Sequence, residues 1–400
     1  MTGDAGLEHP SIHSAASAAL GYLYQADCGL FELIRRSRDE PNISMTFEFL
    51  DDVAFESAGR ATELLQTKHH VNRTATLSDA SPDLWRSVRS WLDVLSTHKL
   101  DSKDVALTLL TTAHGPSDGI AGALRPGAGR DVQVALTRME RTASTSKSKD
   151  NGTAYQAFLG LNREQRVAFV SSIVILDAAR PIDEVGTSIA REVRHAAEER
   201  LRPALVTRLM GWWHDRIISA LRAPAHGIEA REVELAIDDL REQFKADNLP
   251  IDDWQIGEDG GELSKDDRIF LRQLQLVAAN SRVMELALRD YKRAFLQRSR
   301  WLNDELTTMP ELERYESRLI DEWEHQRALM DDDTGNEVAA QRAGLILFRD
   351  LHNADVRIRE RCAAPFVLRG SLHLLADDLR VGWHPEFLSR LRHLLEGTAS

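Results

Sequence analysis

At 400 residues, with 42% hydrophobic and 28% charged side chains, the chain is too long for one ordinary compact core and predicts two or three soluble domains. A formal charge of −13, from 63 acidic and 50 basic residues, excludes a protein that coats nucleic acid by bulk electrostatics. No apolar run nears the ~18 residues of a membrane helix, and the opening MTGDAGLEHPSIHS lacks a basic or apolar signal region, so a cytoplasmic protein with no membrane contact is expected.

In chain order, residues 14–37 read as a helix, with Leu20, Leu23, Tyr24, Leu30, Leu33 and Ile34 at helical spacing, stopped by Pro41-Asn42. Ile43, Met45, Phe47 and Phe49 then alternate with polar neighbours, the period of a half-buried strand. A second strand covers 53–57. Ala58-Gly59-Arg60 makes a turn, and a third strand follows around 63–68. Ser81 suits an N-cap and Pro82 the first turn of a helix striped by Trp85, Val88, Leu92 and Leu95. The apolar run 105–112 predicts a strand buried in the same sheet. Residues 11–115 therefore form an α/β sandwich. From Gly115 to about Asn151 the chain turns small and polar, and the run STSKSKDNG reads as a flexible loop. Residues 116–250 are accordingly expected to be a linker and helical connector, with a clear helix near 229–244. A turn-rich joint at 247–264 precedes helices at 265–301, 310–332 and 336–362 and a short last helix, so 251–400 should be an all-α domain. Cys28 and Cys362 sit far apart in helix-like stretches, which suits a reducing compartment and neither a disulfide nor a zinc site.

The chemistry gathers in the first domain. Asp52 opens the second strand, and Gln66 and Lys68 emerge from one face of the third, fourteen and sixteen residues later. A carboxylate for Mg²⁺, a second oxygen ligand and a lysine beside the attacking water are what phosphodiester hydrolysis needs. Strand parity puts Glu48, Leu50 and Asp52 on one face and favours Asp52 over its neighbour Asp51, although a bulge at the paired aspartates would reverse that. Of His69 and His70, which follow the lysine, at most one can join the site, because adjacent strand residues face opposite ways. The first 120 residues hold 17 acidic and 10 basic side chains, so weak DNA binding by the isolated chain is expected, with a partner supplying much of the grip.

The helix string Gly21-Tyr22-x-Tyr24-Gln25, the string Glu48-x-x-Asp51-Asp52-Val53 and Leu65-Gln66-Thr67-Lys68-His69-His70 resemble the PD-(D/E)xK nuclease superfamily, in its Mrr-like QxK variant. They are similar to the double-strand DNA endonuclease domains of anti-phage effectors. The resemblance implies a restriction-endonuclease-like sandwich acting on double-stranded DNA, and because one site cuts one strand, cutting both strands points to a homodimer. Asp52, Gln66 and Glu48 would ligate Mg²⁺ (with Mn²⁺ a possible substitute), Lys68 would position the nucleophile, and Gln25 would support the site.

Further along, Tyr291-x-Arg293-Ala294-x-x-Gln297-Arg298-Ser299-x-Trp301, Tyr315-Glu316 with Glu322-Trp323, Arg369-Gly370-Ser371-x-His373 and Val381-Gly382-Trp383-His384-Pro385 resemble the C-terminal module of effectors in ABC-three-component systems. That resemblance implies docking onto an SMC-like ABC ATPase encoded with a small middle protein. Two other functions fit less of the sequence: a catalytically inactive adaptor that binds DNA or protein, and a nuclease gated by a cyclic oligonucleotide. Arg289, Lys292, Arg293, Arg298 and Arg300 lie along one helix and read as a solvated, acid-paired face before a DNA-facing stripe.

Overall fold

The computed structural model describes residues 12–70, 74–224, 226–252, 267–330 and 336–396. The chain divides into two compact units, residues 1–239 and 240–400.

The first unit is mixed α/β. It runs α1 (Ile12–Arg36), β1 (Ser44–Phe47), β2 (Val53–Ser57), β3 (Arg60–Lys68), α2 (Pro82–His98) and β4 (Ala106–Thr111). Then come α3 (Ile120–Leu124), α4 (Val132–Thr145), α5 (Gly152–Gly160), α6 (Arg163–Ser172), β5 (Ile173–Leu176), α7 (Ile182–Glu192), α8 (Arg202–Arg222), β6 (Ile228–Glu229) and α9 (Ala230–Gln243), which crosses the division. The six strands lie in the order β5-β4-β3-β2-β1-β6. β3, β4 and β5 are parallel, and every other pairing is antiparallel.

The sheet therefore takes two strands, β5 and β6, from the region expected to be only a linker and helical connector. β5 is four residues long and follows α6 with no turn residue between them, and β6 is two residues long, so neither offers a sequence period. Nor is the intervening region a tether. Tyr155, Phe158 and Phe169 from α5 and α6 pack with Trp85 and Trp91 of α2 in one buried core beneath β4 and β5. The polar run expected to be a flexible loop begins by completing α4. Its Asn151 is buried and donates to the Ala80 carbonyl at 2.9 Å.

Local chemistry explains most of the remaining departures. β1 stops at Phe47 because Glu48 takes a left-handed φ of 52°, which leaves Phe49 exposed. Pro82 opens α2 as its sequence position predicts, whereas the Ser81 side chain makes no cap hydrogen bond.

The second unit is helical: α10 (Ile269–Leu276), α11 (Ser281–Asn303), α12 (Met309–Ala328), α13 (Glu337–His352), α14 (Pro365–Asp377) and α15 (Phe387–Glu396). The single helix expected over 265–301 is broken. Ala278 sits at φ 56°, and the Asn280 side chain accepts from the Val283 amide to cap α11. α13 ends at His352, ten residues short of the expected 362, and Pro365 starts α14. No helix among the described residues is long and apolar enough to cross a membrane.

Candidate active site

The site is built on the β1–β2 connection, residues 48–52, since Phe47 pairs with Val53 across the hairpin. The Glu48 amide donates to the Asp52 carbonyl at 3.1 Å and closes the loop. From α1, the buried Gln25 donates through Nε2 to the same carbonyl at 2.7 Å and to Glu48 Oε1 at 3.0 Å. One side-chain amide thus fixes both ends of the loop, which strand parity could not have foreseen.

β2 pairs with β3 so that Val53 lies opposite Leu65, which brings the two aspartates alongside Gln66 and Lys68. The Thr67 amide donates to Asp52 Oδ2 at 3.1 Å, and Lys68 Nζ lies 3.6 Å from that oxygen. Lys68 Nζ also donates to Gln66 Oε1 at 2.8 Å, while Gln66 Nε2 donates to Asp51 Oδ1. Ser90 of α2 donates to that Asp51 oxygen at 3.2 Å. Glu48, Asp51, Asp52, Gln66, Lys68 and Gln25 therefore form one connected cluster. Because 48–52 is a loop, the parity argument between the aspartates does not apply. Asp51 is buried against Gln66 and Ser90, and Asp52 faces Lys68.

Electrostatics separates the carboxylates. Burial, then the neighbouring Asp52 charge, pushes the Asp51 carboxyl up to about 6 against the hydrogen bonds of Gln66 and Ser90. Burial also raises Glu48, opposed by the Gln25 hydrogen bond, and raises the Tyr22 phenol, with the Glu48 charge adding to it. Asp51 Oδ2 is buried and meets no donor.

That orphaned oxygen, with Asp52 and the Gln66 amide oxygen, is a donor set suited to a hard cation such as Mg²⁺. Among the described residues no three His, Cys, Asp or Glu side chains form a cluster ready to hold a metal. The Gln66 oxygen accepts from Lys68 and keeps a second lone pair for a cation. Two grooves of about 690 and 750 Å³ at the far end of α2, lined by Lys103 and Glu164 among others, include none of the six site residues.

Three groups escaped sequence reasoning: Ser90, the Thr67 amide and Asp83, which pairs with His70, one of the two histidines after the lysine, with Nε2 and Oδ2 2.6 Å apart. Asp83, Ser87 and Ser90 recur at i, i+4 and i+7 on α2, a polar stripe that helical spacing could have disclosed. His69 packs on Tyr24 of α1, with ring centroids 4.8 Å apart.

In the second unit the distinctive strings are packing residues. Trp301 Nε1 donates to the Pro250 carbonyl at 2.7 Å and Trp323 Nε1 to the Gly382 carbonyl at 2.8 Å. A Cβ on Gly370 would land on the Asp290 carbonyl of α11. Arg298 pairs with Glu316, Arg300 with Asp304, and Arg293 lies 4.1 Å over the Phe366 ring, which leaves those three engaged within the fold.

Residues 270–391, from α10 into α15, match the family described as C-terminal domain 7 of the ABC-three component (ABC-3C) systems. The match indicates a component of such a system. No curated protein matches the chain.

Proposed function

We propose that the chain is a metal-dependent DNA endonuclease, the effector of an ABC-three-component defence system, held idle until an SMC-like ATPase partner engages it. The observation that carries this reading is the linked set Asp51–Gln66–Lys68–Asp52, with both aspartates brought to the lysine by one hairpin. A restriction-endonuclease-like topology is compatible with it: a helix, an antiparallel hairpin ladder, then a helical crossover into a parallel strand.

In this mechanism Asp51, Asp52 and Gln66 would hold Mg²⁺ or Mn²⁺, with Glu48 as a further acid held by Gln25. The cation, when bound, supplies charge to a phosphate oxygen and acidifies a water. Lys68 orients the attacking water and stabilises charge building on phosphorus. Ser90 and the Thr67 amide keep the two carboxylates apart, each on its own oxygen. The helical unit would dock the ATPase and the small middle protein.

The test is plasmid cleavage by the full chain in Mg²⁺ or Mn²⁺, alone and with its ATPase. Wild-type cutting that disappears in a folded Lys68→Ala variant is the expected result. Equal cutting by both proteins would sink the assignment. A catalytically inactive adaptor is favoured by one observation, the absence of a three-carboxylate cluster among the described residues. No cutting in either metal, with the ATPase present, would favour it.

A further inference from the structure

We infer that His70, held by Asp83, is the general base of this site, taking the proton from the water that Lys68 orients; this rests on the nuclease reading above. The placement comes from the sheet. Leu64 packs in the core with Leu84 and Trp85 of α2, so that face of β3 looks at α2. Gln66 and Lys68 follow at two-residue steps, and Gln66 reaches Asp51, which Ser90 of the same helix also holds. Beyond Lys68 the chain stays extended against the end of β4. The Thr112 amide donates to the Lys68 carbonyl at 3.2 Å, and the His70 amide donates to Thr112 Oγ1 at 2.8 Å. His70 thus falls two residues past Lys68, about 6.7 Å along the strand. It continues the Gln66–Lys68 row, and its ring meets α2 while His69 turns to α1.

Asp83 and Ser90 are seven residues apart on α2, about 10 Å along its axis. One helix face therefore spans the whole row, from Asp51 at one end to His70 at the other. Between them on α2, Ser87 Oγ is fully buried and without a partner, as is Asp51 Oδ2.

The His–Asp contact defines what the ring can do. A carboxylate only accepts, so at 2.6 Å the Nε2–H is donated to Asp83, which leaves Nδ1 as the ring nitrogen able to take up a proton. Nδ1 has no partner among the described residues, and the His70 side chain is one-third exposed. In the step, the water oxygen bonds to phosphorus as one of its protons passes to His70 Nδ1. The bond from phosphorus to its leaving oxygen breaks, its electron pair stays on that oxygen, and solvent protonates it. His70 then returns its proton to solvent, with Asp83 stabilising the imidazolium in between.

The experiment compares the full chain with His70→Ala, His70→Asn and Asp83→Asn in Mn²⁺ with its ATPase, reading both cleavage rate and affinity for uncut duplex. His70→Ala should cut about 100-fold slower or worse with unchanged affinity. Added imidazole should restore part of that rate, and Asp83→Asn should fall between the two. A cleavage rate within a few-fold of wild type, or a loss that imidazole does not relieve in either His70 variant, overturns the assignment. If wild type cuts, Lys68→Ala does not and His70→Ala does, only this inference fails; if wild type never cuts, the nuclease reading fails with it.

Discussion

Asp51 and Asp52 are neighbours in sequence and opposites in environment, and that contrast sets the sharpest expectation at the residue scale. Asp51 is buried, and its carboxyl rises from 3.8 to about 6, which corresponds to roughly 3 kcal/mol in favour of the neutral form. A raised carboxyl adds no penalty below the unfolded value and costs stability progressively as pH climbs from about 4 through about 6. Asp51→Asn keeps an acceptor for Ser90 and Gln66 while removing the charge. It should therefore melt several degrees higher than wild type at pH 8, show a shrinking advantage below pH 6, and cut no DNA. Thermal melts across pH, paired with plasmid cleavage, check both halves; unchanged melting at pH 8 would count against a buried, ionised Asp51. Glu48, Asp51, Asp52, Gln66 and Lys68 were legible from residue type and spacing, and Gln25 only through the resemblance carried by its helix string. Their division of labour was not, because it depends on a five-residue loop whose shape is set by Gln25 from another element.

At the scale of elements, long amphipathic helices were readable and short or interrupted pieces were not. α14 holds Arg369-Gly370-Ser371, which reads as a motif in sequence and is a packing seam in the fold, because Gly370 lets α14 press on the Asp290 carbonyl of α11. Gly370→Ala should destabilise the helical unit by about 1–3 kcal/mol through overpacking, read as a lower midpoint in urea. A melt equal to wild type would show that the two helices can separate without cost. The same unit buries His373, with both ring nitrogens unpartnered, among Phe270, Phe348, His352 and Trp383. Burial pushes His373 down to about 3. A lowered histidine stays neutral in the fold while the unfolded chain takes up a proton, so stability is intact above about 6.5 and drains as pH falls toward 3, by up to about 1.4 kcal/mol per pH unit. His373→Gln should flatten that slope between pH 6.5 and 4.5 in denaturant melts. A slope identical to wild type would mean that His373 takes up a proton in the folded state.

For the whole molecule the decisive quantity is charge. Binding a duplex means neutralising phosphates with clustered cations, and a chain at −13 whose arginines pair so often with its own acids has few to spare. The acidic cluster adds a local repulsion, which the proposed cation would reverse. The full chain alone should therefore hold a duplex no better than roughly 10⁻⁴ M at physiological salt, the weak end of non-specific binding. Under the proposed function, charge and the match over residues 270–391 point the same way, since a helical unit of that family would give the effector a way to borrow grip from a partner. Fluorescence anisotropy with and without the ATPase should show at least a tenfold gain in affinity, and the gain should shrink as salt rises if the partner's cations supply it. Tight, salt-sensitive binding by the chain alone would instead place the phosphate-reading surface in its own sequence, and the partner would then serve to trigger cutting, with no part in holding the DNA.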